Sequence, residues 1–520
     1  MQLAQLFRKT SYVLFGLLLL HSILTIVYVQ HQPITNDEPD YFSYSKRWLK
    51  GHPEKVLDVD DSKTPMVAVC WIPRIIKQFQ SPDLQLNDFG RSDLLLGRYM
   101  MLVFFWLVFY YTYLWSRKLF GDKGWWLPII LLLVDPLFMA FTPVITSDMA
   151  CTFVVLACFY HYWQYAETKS YRQLIAVAVY TGLACVTKSS LVFIPFIFLL
   201  IFVLRLLMRQ TVFTKKNVIH TAIFIGIAWL VVNAGYQFQH SFYTWGELTF
   251  KSNFFNGLMK DFSFLKSMPT LLPEPFIRGF DLLQYHKDVG PVTPDLPYKG
   301  VFILGKEYDG GIWFYYLVTG FFKLPIGLIV VHICSVVVLI KQFNSSAFFK
   351  RYIFLVIPVL VYGFLLSFVN PFQQGIRHTM IIMPFLFIAS GYVWQYVTQH
   401  WQKGKYVVVG LVCYIAVSVA TYYPDVMPYT NELIYPKTNL FHYLAEYNYL
   451  NGDVPVDTKP FREKHPDYII APTTPQKGKF IIPGAFVYNS TYELNANYKW
   501  LQPYQPTGHY RYLFLLYEVK

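Results

Sequence analysis

Charged residues are scarce in this chain. Asp, Glu, Lys and Arg make up 14% of its 520 residues, against about 25% in ordinary soluble domains, so most of it is not expected to face water. The six cysteines show neither CxxC nor CxH spacing, and most of them (Cys151, Cys158, Cys185, Cys334 and Cys413) sit inside apolar segments. Neither a disulfide framework nor a zinc site is indicated. A basic patch is missing too. The formal charge is +13, but Lys and Arg fall in short loops between apolar runs, where cytoplasmic retention explains them, and no nucleic-acid partner is expected. No internal repeat stands out, so the inverted repeats common in transporters have no visible support.

What the chain has is length of apolar sequence. It is 55% hydrophobic and 19% aromatic. Runs of about 18–20 apolar residues recur from end to end, each long enough to cross roughly 30 Å of hydrocarbon. The pattern predicts a polytopic α-helical membrane protein with about eleven transmembrane helices, at 11–30, 94–116, 125–141, 148–165, 172–187, 190–208, 218–238, 312–340, 351–369, 378–397 and 405–423. The first run follows Arg8 and Lys9, is too long for a signal peptide and has no small-residue cleavage site after it; it reads as an uncleaved span.

With the N-terminus inside, every short inside loop is basic: Arg117, Lys118 and Lys123; Lys169 and Arg172; Arg205, Arg209, Lys215 and Lys216; Lys341, Lys350 and Arg351; Lys403 and Lys405. The positive-inside tendency requires this. The same assignment puts residues 31–93, 239–311 and 424–520 outside, and these hold nearly all the carboxylates and prolines. The expected organisation is a membrane domain, 1–423, followed by a small extracytoplasmic mixed α/β domain, 424–520. Alternation at Lys479–Ile482 and Tyr512–Tyr517 suggests strands there.

Five polar motifs fall at the outer face under this topology. Asp37, Glu38 and Asp40 follow the first span. They read either as the acidic start of an interfacial helix capped by Asn36, with Tyr41, Tyr44 and Trp48 on its headgroup-facing side, or as catalytic carboxylates. Asp60, Asp61 and Lys63 lie further along the loop, as a solvated group or a phosphate site. Thr146-Ser-Asp148 opens the fourth span, which is also good helix-start chemistry. Lys188 is a cation on the outer side, either snorkelling to lipid phosphate or serving the site. Arg377 and His378 stand at the mouth of the tenth span, as boundary groups or as further members of the constellation. Carboxylates and cations converging on one membrane face suit chemistry on a lipid-linked phosphate.

The order of these motifs resembles a known group. Asn36-Asp-Glu-Pro39, Ser62-Lys-Thr-Pro-Met66, Ser147-Asp148 and Gly182-Leu-Ala-Cys-Val-Thr-Lys188 look like the GT-C glycosyltransferases. Within them they resemble the protein O-mannosyltransferase and lipid A aminoarabinose transferase superfamily, glycosyltransferase family 39 and its bacterial relatives. Leu304-Gly-Lys-Glu-Tyr-Asp-Gly-Gly-Ile-Trp-Phe-Tyr-Tyr316, Gly375-Ile-Arg-His378 with Pro384, and Tyr423-Pro-Asp-Val-Met-Pro-Tyr-Thr-Asn-Glu-Leu433 extend the likeness along nearly the whole chain. There are departures. The usual His-Pro-Pro-Leu or Lys-Pro-Pro-Leu is Lys63-Thr-Pro-Met66, and Ser62 stands where an acidic residue often precedes it.

The resemblance implies an inverting transfer of a monosaccharide from a polyprenyl-phosphate donor to a protein, lipid A or envelope-glycan acceptor. Asp37 is then expected as the base, with Glu38 shaping the site. Lys63, Arg377, His378 and Lys188 would bind the donor phosphate. Asp148 and Asp61 would orient that phosphate or hold a divalent Mg²⁺, Mn²⁺ or Zn²⁺ ion, since some GT-C enzymes use a metal and others show none. A multi-pass protein of the bacterial inner membrane is implied, in contact with membrane lipids. The alternatives from other classes are a transporter or lipid-linked-sugar flippase, and a non-catalytic scaffold using the outer tail.

Overall fold

The computed structural model describes residues 2–80, 90–289, 292–293, 296–297, 300–370, 372–401, 403–444, 454–488 and 498–520. Parts of the expected outer segments, 81–89, 445–453, 489–497 and pieces of 290–299, lie outside the described residues. The protein is a multi-pass, mostly helical membrane protein. Five helices, Thr10–His31, Arg91–Phe120, Ser189–Leu207, Lys215–Gly235 and Ser345–Val369, are long and apolar enough to cross a bilayer unaided. Every other run expected to cross is also helical, but less apolar, shorter or interrupted.

The interruptions follow from sequence. The run 125–141 divides into Trp126–Val134 and Pro136–Phe141. Asp135 is extended there, and its carboxylate accepts from the N–H groups of Leu137 and Phe138. Pro136 takes the first helical position, where its missing N–H costs nothing. The run 312–340 likewise breaks before Pro325, into Tyr315–Lys323 and Ile326–Lys341. Helix Asp148–Thr168 is the centre of the bundle. It packs against Arg91–Phe120, Tyr171–Cys185 and the 3₁₀ segment Ile376–Ile381, and its first twelve residues are buried.

The first loop folds as helix Asp37–Leu49, two 3₁₀ segments, Asp58–Ser62 and Pro65–Trp71, and helix Ile72–Gln80. The expected headgroup-facing side of Asp37–Leu49 is corrected: Tyr41 and Tyr44 are buried, and Trp48 donates to the Gly235 carbonyl at 2.7 Å. Asn36 makes no side-chain cap. Glu38 turns back instead and accepts from the Thr35 N–H and hydroxyl at 2.8 and 3.1 Å.

Loop 239–311 carries helices Asn253–Asp261 and Glu274–Asp288 and an antiparallel hairpin, Gly300–Ile303 with Lys306–Asp309. The tail forms a four-stranded sheet. Tyr468–Ile470 runs parallel to Gly478–Pro483, which pairs antiparallel with Phe514–Val519, and Gly508–Tyr510 closes the far edge. Both alternating stretches therefore lie on strands, except that Tyr512, at φ 57°, and Leu513 fall in the turn before the last one.

Candidate active site

Three separate stretches meet at one end of the bundle. Thr64 donates its hydroxyl to the Thr187 carbonyl at 2.7 Å, and the Met66 N–H reaches the Val186 carbonyl at 3.4 Å. These two bonds fasten the Lys63 loop to the turn that carries Lys188. Gly375 supplies the third stretch. Its φ of 81° is open to glycine at no steric cost, and its N–H donates to the Tyr315 hydroxyl at 2.9 Å. The turn so made delivers Arg377 inward, where its side chain is 6% exposed.

The charges form a continuous chain. Arg377 Nη1 lies 2.7 Å from Asp37 Oδ2, and its Nη2 donates to Gln374 at 2.9 Å. Its Nε faces Asp148 Oδ2 at 3.7 Å, too far for a hydrogen bond. Asp148 Oδ1 accepts from Lys188 Nζ at 3.2 Å, and its other oxygen accepts from the Thr146 hydroxyl at 3.3 Å. Lys188 therefore turns in to a carboxylate rather than out to lipid. Lys63 lies over the Tyr41 ring, 4.5 Å from its centre, with its ammonium 3.4 Å from the Ser62 hydroxyl. The Tyr41 hydroxyl in turn touches Ser147 Oγ and the Ser62 carbonyl, both at 3.3 Å.

Electrostatics separates the acidic residues. Burial alone would push the Asp37 carboxyl up, but Arg377 and Lys63 prevail and hold it below the ordinary range. Asp40, on the same helix, is pushed up by burial. Burial works against the Lys63 ammonium, yet Tyr41, Asp37, Asp61 and Asp40 together keep its pKa raised. Burial would raise Asp61 too, and its hydrogen bond with His286 lowers it instead.

The other expected members are held by partners of their own. Glu38 is fully buried against Arg98, with Nε–Oε1 at 2.7 Å and Nη2–Oε2 at 2.5 Å. It also accepts from the Ile145 N–H at 3.2 Å, so its carboxylate is used up in fastening the first loop to helix Arg91–Phe120 and to the segment just before Asp148. Asp61 Oδ2 lies 3.4 Å from His286 Nδ1, on helix Glu274–Asp288. That helix comes close because Gly279 has no side chain: a Cβ there would lie 3.0 Å from Lys55 Cε. His378 Nδ1 pairs with the Tyr316 hydroxyl at 3.0 Å.

Sequence reasoning missed Arg98, Tyr41 as a site residue, His286 and Lys55. Arg98 had a signal, an arginine inside the second apolar run. Lys55 is buried and spans the Lys63 loop from beneath, donating to the carbonyls of Asp60 and Lys63 at 2.6 and 2.5 Å. Burial pulls its pKa down to about 8. Among the described residues no group of three or more His, Cys, Asp or Glu is placed to hold a metal ion. With Asp148 facing Lys188, Thr146 and Arg377, this donor set does not fit a divalent cation.

Residues 89–236 match the sequence model of the dolichyl-phosphate-mannose-protein mannosyltransferase family. The resemblance to protein mannosyltransferases is borne out over that segment. Asp148 and Lys188 lie inside the matched segment; Asp37, Lys63 and Arg377 lie outside it. Two solved structures of ArnT from Cupriavidus metallidurans, one bound to undecaprenyl phosphate and one in the apo state, are similar at 12% identity. Each alignment covers 98% of both chains, with TM-scores of 0.32 and 0.34. No curated protein matches the chain.

Proposed function

We propose that this chain transfers a monosaccharide from a polyprenyl-phosphate carrier to an acceptor at the extracytoplasmic face of a bacterial inner membrane. Its N-terminus would be cytoplasmic, and its tail domain would sit outside. The observation that carries the reading is the alternating chain Lys188–Asp148–Arg377–Asp37, with Lys63 beside it.

The leaving group of such a reaction is a phosphate, already a stable anion. It needs fixed positive charge where negative charge grows, and not a proton. Arg377 and Lys63 supply that charge, with Lys188 held on Asp148 behind them. A phosphate arriving at Arg377 competes with Asp37 for the guanidinium. Once released, Asp37 loses the contact that depresses its carboxyl and becomes the stronger base an acceptor hydroxyl requires. Arg377 thus keeps the base quiet until the donor is in place. Glu38 acts through position, and no step is routed through a metal.

The test is mass spectrometry of glycoproteins and envelope lipids from cells with and without the gene, complemented by wild type or Asp37→Asn. The expected result is one hexose- or pentose-sized unit lost in the deletion, restored by wild type and not by Asp37→Asn at equal expression. Full restoration by Asp37→Asn would overturn the assignment of the base. A deletion strain with an unchanged glycan profile would overturn the enzyme reading.

A further inference from the structure

The segment from Phe238 to Leu271 leaves the end of helix Lys215–Gly235 and exposes an unusual amount of aromatic surface. Phe242, Phe254, Phe262, Phe264, Met268 and Leu271 are between 47% and 64% exposed. They lie in a stretch that is otherwise well ordered by its own contacts. Ser252 caps helix Asn253–Asp261, and the rings of Phe250 and Phe255 stack at 5.0 Å. The Trp245 N–H closes the loop on the Met268 carbonyl at 3.0 Å. A folded loop that turned its outer side to water would bury these rings rather than display them, at a cost of about 25 cal/mol for each Å² of apolar surface left wet.

Its attachment shows which way that side points. The Trp229 indole donates to the Leu271 carbonyl, and its ring lies 6.1 Å from that of Phe242. Asn233 binds the same carbonyl and the Ser241 hydroxyl, the latter at 2.6 Å. Trp229 stands six residues before Gly235, about 9 Å down the helix axis at 1.5 Å per residue. Both ends of the segment are thus drawn back along a helix that crosses the membrane. The apolar stretch of that helix is itself only 17% buried, and the exposed Lys260 and Lys266 are interleaved among the exposed rings. Aromatic rings with lysines are the composition that settles at the headgroup boundary.

The geometry points to Phe238–Leu271 as a membrane-dipping flap, its exposed rings lying among lipid headgroups and acyl ends and Lys260 and Lys266 meeting lipid phosphate. The flap is tied to the charged site, because Lys251 pairs with Asp58 and its N–H binds Asp281 at 2.8 Å, on the helix that also carries His286. Seating in lipid therefore fixes the cover over the Lys63 loop.

The test is site-directed spin labelling of the full chain in nanodiscs, one copy per disc, with the exposed Cys334 and Cys413 replaced by Ser. Labels go at Phe254→Cys and Phe264→Cys, with Lys477→Cys in the tail as the aqueous control. The expected result is collision with dissolved oxygen exceeding collision with a water-soluble nickel chelate, the ratio severalfold above that of the control. Labels as open to nickel as the control would overturn the proposal. Labels shielded from both relaxers would also overturn it, since protein rather than lipid would then cover the face. Thermal unfolding matching that of the unlabelled protein guards against misfolded samples.

Discussion

Replacing Glu38 by Gln separates a positioning carboxylate from a catalytic one. Both side chains of the Glu38–Arg98 pair are 0% exposed. The carboxylate takes two hydrogen bonds from Arg98, two from Thr35 and one from Ile145. Gln keeps the volume and part of the hydrogen bonding but leaves the guanidinium of Arg98 without its counter-charge. Removing one partner of a buried pair costs about 3–5 kcal/mol, set against a typical total of roughly 5–15 kcal/mol for a folded domain. Thermal unfolding in nanodiscs, followed by tryptophan fluorescence, should show a large drop, while transfer per folded molecule stays within about tenfold of wild type, which is 1.4 kcal/mol of barrier. The Glu38→Leu, Arg98→Met pair should be more stable than the sum of its single variants implies. Recovery will be partial, because Arg98 also donates to the carbonyls of Gln32 and Pro33 at 2.9 and 2.7 Å. A Glu38→Gln protein as stable as wild type but without transfer would refute this reasoning and put Glu38 in contact with substrate.

Other perturbations test the charges singly. On the proposed mechanism Lys63→Gln removes a charge-assisted contact with the leaving phosphate worth about 1.5–3 kcal/mol; kcat/KM should fall roughly 10- to 100-fold, and a change within twofold would remove Lys63 from the site. Asp37 is held low by Arg377, so its charged form persists as pH falls below the ordinary value of about 3.9 and is lost only near its own depressed value. Arg377→Lys loosens that pair, and the acid limb of kcat/KM should move to higher pH; a limb that stays put assigns it to another group. Lys55 titrates at about 8 when folded, against about 10.4 unfolded. Between those values the unfolded chain holds more protons, so stability should rise with pH across that window. The rise should be missing in Lys55→Met, as read from the thermal transition at pH 7.5 to about 10.5.

Much of the architecture was legible because a bilayer imposes a length, and a strand imposes a period of two. The apolar runs became helices, and Lys479–Ile482 became a strand. The helix breaks were missed: 125–141 and 312–340 were read as unbroken runs, although Asp135-Pro136 and Leu324-Pro325 were there to be read. The site was half legible. Asp37, Asp148, Lys188 and Arg377 stood out because each is a charge at the edge of an apolar run, where charge is costly unless something uses it. Their mutual contacts bring these edge residues together. What the sequence could not tell was which carboxylate takes which cation. Asp37 and Glu38 are neighbours in one helical turn, about 100° apart around its axis. That rotation sends one to Arg377, 340 residues away, and the other to Arg98, 60 residues away. Helical period fixes the angle between two side chains but not what waits on either side. The capping reading and the catalytic reading of this acidic turn were therefore rivals only while it was treated as a unit. In the folded chain Glu38 takes the structural part, and Asp37 is the carboxylate left beside Arg377, where the proposed chemistry needs a base.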